Sequence, residues 1–167
     1  MFKRISLVQT YKRVTFLSLL QPADTLFSKG FKMASTLRKI ITTSKIFSAG
    51  FPYSPGVLVD KTLYVSGQIG WNLKGELATG IEAQTKLALE NMGHVLEVVG
   101  ANHSNVVKVT VLLADINDMQ KMNAVYSTFF KENQPARAAY QVAKLPMGAQ
   151  VEIEAVAIVG ELINAKL

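Results

Sequence analysis

Apolar residues recur at intervals of three and four across residues 82–99, through Ala83, Leu87, Ala88, Met92, Val95, Leu96 and Val99. That period predicts an amphipathic helix, with Glu82 favouring its start and Gly100 placed where a glycine ends one. The period then shortens to two. In residues 106–114, VVKVTVLLA, it puts Val107, Val109, Val111 and Leu113 on one face of a largely buried strand. A second helix, capped by Asn117 and running to about residue 131, carries Met119, Met122, Val125, Tyr126, Phe129 and Phe130 as its stripe. Residues 136–144 and 150–159 read as two closing strands around a Pro146-Met147-Gly148 turn. Upstream, GFPYSPG at 50–56 reads as a loop entering the domain, followed by a hairpin of residues 57–60 and 63–68 joined at Asp60-Lys61, and by a further turn at Lys74-Gly75.

The predicted order is β-β-(β)-α-β-α-β-β, an α+β sheet layered by two helices on one face. Two layers leave the other sheet face uncovered. The last strand is apolar on both sides, with Val151, Ile153 and Ala155 opposite Val156 and Ile158, so that face is expected to pack on another subunit.

Charge is distributed unevenly. The net +6 of the 167 residues suggests a polyanion partner, but residues 1–32 hold six basic side chains against Asp24 alone, leaving 12 basic against 11 acidic in the remainder. The basic, acid-poor, hydroxyl-bearing stretch of residues 1–36 reads as a mitochondrial transit peptide, which predicts a matrix destination; the alternative is a disordered tail, with a second start at Met33 open to it, on a cytoplasmic protein. Residues 37–163 are then the single folded domain. No apolar run approaches the roughly 20 residues that span a bilayer, so no membrane span is expected.

The absence of cysteine excludes disulfides, thiol nucleophiles and cysteine-held metals. Two histidines, His94 and His103, lack metal-site spacing and are assigned structural or surface roles. The GQIG run at 67–70 lacks a dinucleotide or P-loop pattern, Ser66 has no adjacent histidine to activate it, and Trp71 reads as a core or interface aromatic. The strongest chemical signal is Glu152 and Glu154, which share one strand face about 6.8 Å apart and could act as an acid/base pair. Carboxylates on an apolar strand call for a partner. Arg137, expected at the head of the neighbouring strand, is the candidate, either as an ion-pair partner of one glutamate or as the bidentate anchor of a small carboxylate.

The run PARAAYQVAKLPMGAQVEIEAVA at 135–157 closely resembles the signature of the RidA (YjgF) family of reactive-intermediate imine/enamine deaminases. The resemblance extends through PYS at 52–54, YVSGQIG at 64–70, ALENMG at 88–93, VVKVTVLLADIND at 106–118 and NAVYSTFF at 123–130. It implies a chorismate-mutase-like fold, assembled as a homotrimer with sites between subunits. It also implies a hydrolase acting on C–N bonds: 2-iminobutanoate, 2-iminopropanoate and 2-aminoacrylate are converted to 2-keto acids and ammonia without metal or cofactor. By the same resemblance Arg137 grips the substrate carboxylate and Glu152 positions the water, while Tyr53, Ser66 and Asn123 complete the pocket. Four positions depart from the pattern, one of them Gln134, which stands where a phenylalanine is common before the PAR block. Phe51 stands where the family usually has glycine and Pro55 where it has glutamine, which stiffens a pocket loop, and Ala139 replaces a frequent cysteine. A ligand-binding regulatory trimer without turnover, and a translation-inhibiting endoribonuclease as attributed to some relatives, are the alternatives. The near-neutral domain argues against a nucleic-acid partner.

Overall fold

The computed structural model describes residues 35–47 and 50–165, so the leader-or-tail reading of residues 1–36 falls almost wholly outside the described residues. From Thr36 onward these form one unit built on a six-stranded mixed sheet. Its strands are β1 (Arg38–Ile41), β2 (Gly56–Val59), β3 (Thr62–Ile69), β4 (Val106–Leu113), β5 (Ala136–Gln141) and β6 (Val151–Ile158), in the spatial order β1-β2-β3-β6-β4-β5. Helices α1 (Ile81–Glu97) and α2 (Met119–Phe129) cover one face. All pairings are antiparallel except β4 with β5. Among the described residues no helix is long and apolar enough to cross a membrane.

The helical and sheet periods meet in one core, where Leu89, Met92 and Leu96 of α1 and Met122 of α2 pack fully buried against Val109 of β4 and Ile153 of β6. Gly100, at φ 71, closes α1 as expected, with Ala101 N–H donating back to Leu96 O at 3.1 Å. Asp60, at φ 53, turns the β2–β3 hairpin at the position anticipated.

Three expectations are corrected, and one strand is added. Strand β1 lies at the start of the 37–163 domain, where no strand was expected; Ile40 and Ile41 pair with Val57 and Gly56, and Ile41 is buried. Asn117 does not cap the second helix. The Asp115 carboxylate accepts from Asn117 N–H at 2.9 Å and opens a single 3-10 turn, Ile116–Asp118, ahead of α2. Along β4 a register shift between Val106 and Lys108 puts Val106 in the core and leaves Val107 exposed. Finally, β5 is not the neighbour of β6, because β4 lies between them.

Two buried amides of α1 position the strands that matter below. Asn91 Nδ2 donates to Ile69 O and Trp71 O, at 3.3 and 3.0 Å, holding the exit of β3. Gln84 accepts from Gln150 N–H at 2.8 Å through Oε1 and donates to Ala78 O at 3.0 Å, holding the entry to β6. Satisfied buried amides of this kind fix geometry, since either end left unpaired costs about 1–3 kcal/mol.

Candidate active site

Strand alternation on β6 sends Val151, Ile153, Ala155 and Ala157 into the core, and so sends Glu152 and Glu154 to the opposite face, as the sequence requires. Glu152 sits between Ile69 on β3 and Leu112 on β4 and is half-buried, whereas Glu154 is exposed. Below its carboxylate, β3 bulges between Val65 and Gln68. Gly67 lies in that bulge, and any Cβ there would overlap Glu152 Oε1. Burial in this apolar cleft, and secondarily the Glu154 charge, push the Glu152 carboxyl above its ordinary value.

A cavity of about 330 Å³ opens over Glu152 and takes in Tyr53, Ser66 and Gly67. Ser66 O–H donates to Ser54 O at 2.6 Å and Ser66 N–H to Pro55 O at 3.0 Å, so the bulge and the 51–55 loop are tied together. The Tyr53 hydroxyl is raised by partial burial and by the facing Glu152 charge, which keeps it a neutral donor. Trp71, read from sequence as a core or interface aromatic, is buried and also forms one wall of this cavity.

Arg137 occupies a second place. It pairs with Val109 in register, so its side chain leaves the sheet on the helix-bearing face. There Arg137 Nη1 donates to Asn123 Oδ1 at 2.7 Å, and the guanidinium lies 4.7 Å from the centre of the Tyr126 ring. Asn123 and Tyr126 are three residues apart on α2 and present one face to the arginine. The Tyr126 hydroxyl is buried without a hydrogen-bond partner and is pushed up to about 12 by burial, despite the opposing effect of Arg137. A cleft of about 340 Å³ runs along these residues.

The sequence-derived set thus divides in two: Tyr53, Ser66 and Glu152 converge, Asn123 and Arg137 converge, and the halves lie on opposite faces of the sheet. The expected contact between Arg137 and a glutamate on the adjacent strand does not form, because β4 intervenes and the side chains diverge. Sequence reasoning missed Tyr126 as the support of Arg137, although its i, i+3 spacing from Asn123 signals it, and missed Gly67, whose role depends on a bulge. His103 has a structural role: its Nε2 meets Leu89 O at 3.0 Å, it packs on Phe129 and Phe130, and burial lowers its pKa. A further cleft of about 730 Å³, beside His94 and His103, holds none of the site residues. Among the described residues no cluster of three or more His, Asp or Glu is grouped as metal ligands are.

A mixed sheet backed by two helices thus carries a desolvated carboxylate over a cavity on its open face and a braced arginine beside a second cleft at its edge. The chain belongs to the family described as Endoribonuclease L-PSP, which matches residues 43–159. It is 53% identical over 137 residues to the 2-iminobutanoate/2-iminopropanoate deaminase of Homo sapiens, covering 81% of this chain and all of that one. Among solved structures it is similar to RidA from the Antarctic bacterium Psychrobacter sp., with a TM-score of 0.70 at 39% identity, over 72% of this chain and 99% of that one. It is likewise similar to Escherichia coli TdcF with bound serine, with a TM-score of 0.68 at 37% identity, over 72% of this chain and 98% of that one.

Proposed function

We propose that this protein hydrolyses 2-imino acids, 2-iminobutanoate and 2-iminopropanoate among them, to 2-keto acids and ammonia, at sites that a homotrimer assembles between subunits. One observation carries the reading: a half-buried, basicity-enhanced Glu152 faces an open cavity with two hydroxyl-bearing side chains, and the braced cation Arg137 lies on the other sheet face. One copy separates the base from the anchor, and a neighbouring copy can bring them together. The open face offers the surface for this, with Tyr64 and Tyr140 about half exposed on it.

The chemistry asks little of the protein. An iminium carbon is already electrophilic, so rate comes from holding it, orienting it and delivering water. Arg137 binds the substrate carboxylate bidentately, its fork aimed by Asn123 and Tyr126. Glu152 accepts a proton as water oxygen bonds to C2 and the C=N π pair moves to nitrogen. The proton then goes to nitrogen, the C–N bond breaks, ammonia leaves, and the hydroxyl becomes the keto group as it loses its proton. In this reading Tyr53, a neutral O–H donor lining the same cavity, hydrogen-bonds the developing carbinolamine oxygen.

The deaminase name of the human relative supports the same reading, as does serine bound in TdcF, an amino acid with a carboxylate and nitrogen on adjacent carbons. The basic, acid-poor residues 1–32 support a mitochondrial destination, which a fluorescent fusion of that segment would test. For the activity, full-length protein is added to 2-iminobutanoate generated in situ and keto-acid release is followed. Acceleration by the wild type and its loss in Glu152→Gln are expected; an inert wild type that still binds 2-ketobutyrate would replace enzyme with ligand-binding protein.

A further inference from the structure

The cavity over Glu152 has an aromatic wall of which the proposed reaction uses only the Tyr53 hydroxyl. Phe51 lies nearly parallel to Tyr53 and to Trp71, at 11° from each, with ring centres 5.9 and 6.0 Å away. Three rings therefore form a continuous stacked surface along one side of the cavity. Phe47 supports it from behind, edge-on to Trp71 at 4.8 Å. The loop that carries Phe51 is constrained by Pro52 and Pro55 and anchored to β3 through Ser66, so the wall is fixed before any ligand arrives.

Phe51 is 42% exposed and Tyr53 51%, so the stack ends in aromatic surface that a bound group could cover. Ile69 and Pro146 extend the apolar lining, and among the described residues no cationic side chain enters it. Glu152 is the charged group in the cavity, which disfavours a ligand with a second carboxylate. The volume of about 330 Å³ is within the usual range for ligand pockets, and exceeds what a three- or four-carbon acid occupies.

Resting on the deaminase reading, we infer that Phe51 is a specificity-determining residue that makes this protein favour 2-imino acids with aromatic or large apolar side chains. The substrate side chain lies along the Phe51–Trp71 surface while C2 stays beside Glu152.

The test generates imines from alanine, leucine, phenylalanine and glutamate with an amino-acid oxidase or dehydrogenase and measures kcat/KM for the full-length wild type, Phe51→Gly and Phe51→Leu. The readout is the ratio of the phenylalanine-derived to the alanine-derived imine within each protein. A roughly tenfold fall of that ratio in Phe51→Gly, with Phe51→Leu losing the aromatic but keeping the leucine-derived preference, is the expected result. An unchanged ratio, or a higher one in Phe51→Gly because the ring obstructs the cavity, overturns the inference while leaving the deaminase reading intact. A wild type inert on all four imines overturns both. Thermal unfolding of the variants confirms that they are folded.

Discussion

Arg137 and Glu152 lie on opposite faces of one sheet, with the whole of β4 between their strands. Neither can meet a single small ligand with the other within one chain. If the site is shared between copies, two dead variants complement: Arg137→Ala and Glu152→Gln, each inactive alone, regain about a quarter of the wild-type rate when subunits are mixed and exchanged, because one pairing in four carries both native residues. Activity that stays at zero after verified exchange would show that both residues act from one chain.

The bracing of Arg137 sets a second expectation. Asn123→Ala removes a 2.7 Å hydrogen bond to the guanidinium, and hydrogen bonds to charged groups contribute about 1.5–3 kcal/mol. KM for the imine should rise by at least about tenfold with a smaller fall in kcat, since aim is lost and charge is kept. Tyr126→Leu should act in the same direction more weakly, and steady-state kinetics on both variants checks the order.

Gly67 gives a prediction that separates folding from function. The atom a Cβ would strike is the end of the Glu152 side chain, which can swing aside. Gly67→Ala should therefore fold with nearly unchanged thermal stability and lose most of its activity, because the carboxylate is driven from its place over the bulge. Equal losses of stability and activity would contradict this account.

The Glu152 carboxyl is raised by burial first and by Glu154 second, so two pH effects follow. Activity should rise with pH through the Glu152 titration, and Glu154→Gln, by removing a like charge, should move that rise to lower pH. Stability runs the other way. A carboxyl raised in the fold contributes stability that is complete below its ordinary value of 4.5 and is lost as pH rises through the folded value. Glu152→Gln should thus raise the melting temperature at pH 7 and lose that advantage near pH 4, as calorimetry at the two pH values would show.

Strand β1 gives the last prediction. A chain begun at Met33 keeps Arg38–Ile41 and should unfold like the full-length protein, whereas one begun at Thr42 loses β1 and the buried Ile41, a loss of about 2–5 kcal/mol by comparison with large-to-small core changes. Denaturant titration of the two chains measures the difference.

Local periodicity was enough to give α1, α2 and most strands to within a few residues, because a helix stripe and a strand alternation are written in the order of the residues themselves. The same alternation placed Glu152 and Glu154 together on the face opposite the core. Turn chemistry at Asp60, Gly100 and Met147-Gly148 was equally legible, since left-handed backbone is a local demand. Strand β1 was hidden because, only four residues long and with Arg38, Lys39 and Ile40 exposed and Ile41 alone buried, it shows no alternation of polar and apolar positions. What the order of residues does not contain is which strands become neighbours. Pairing β6 between β3 and β4 separates Arg137 from Glu152, lets the bulge at Gly67 receive a carboxylate from a strand some 85 residues away in sequence, and stacks Phe51 on Trp71. Those contacts arise from long-range sheet register and from one side chain yielding space to another, and only the assembled tertiary structure decides them.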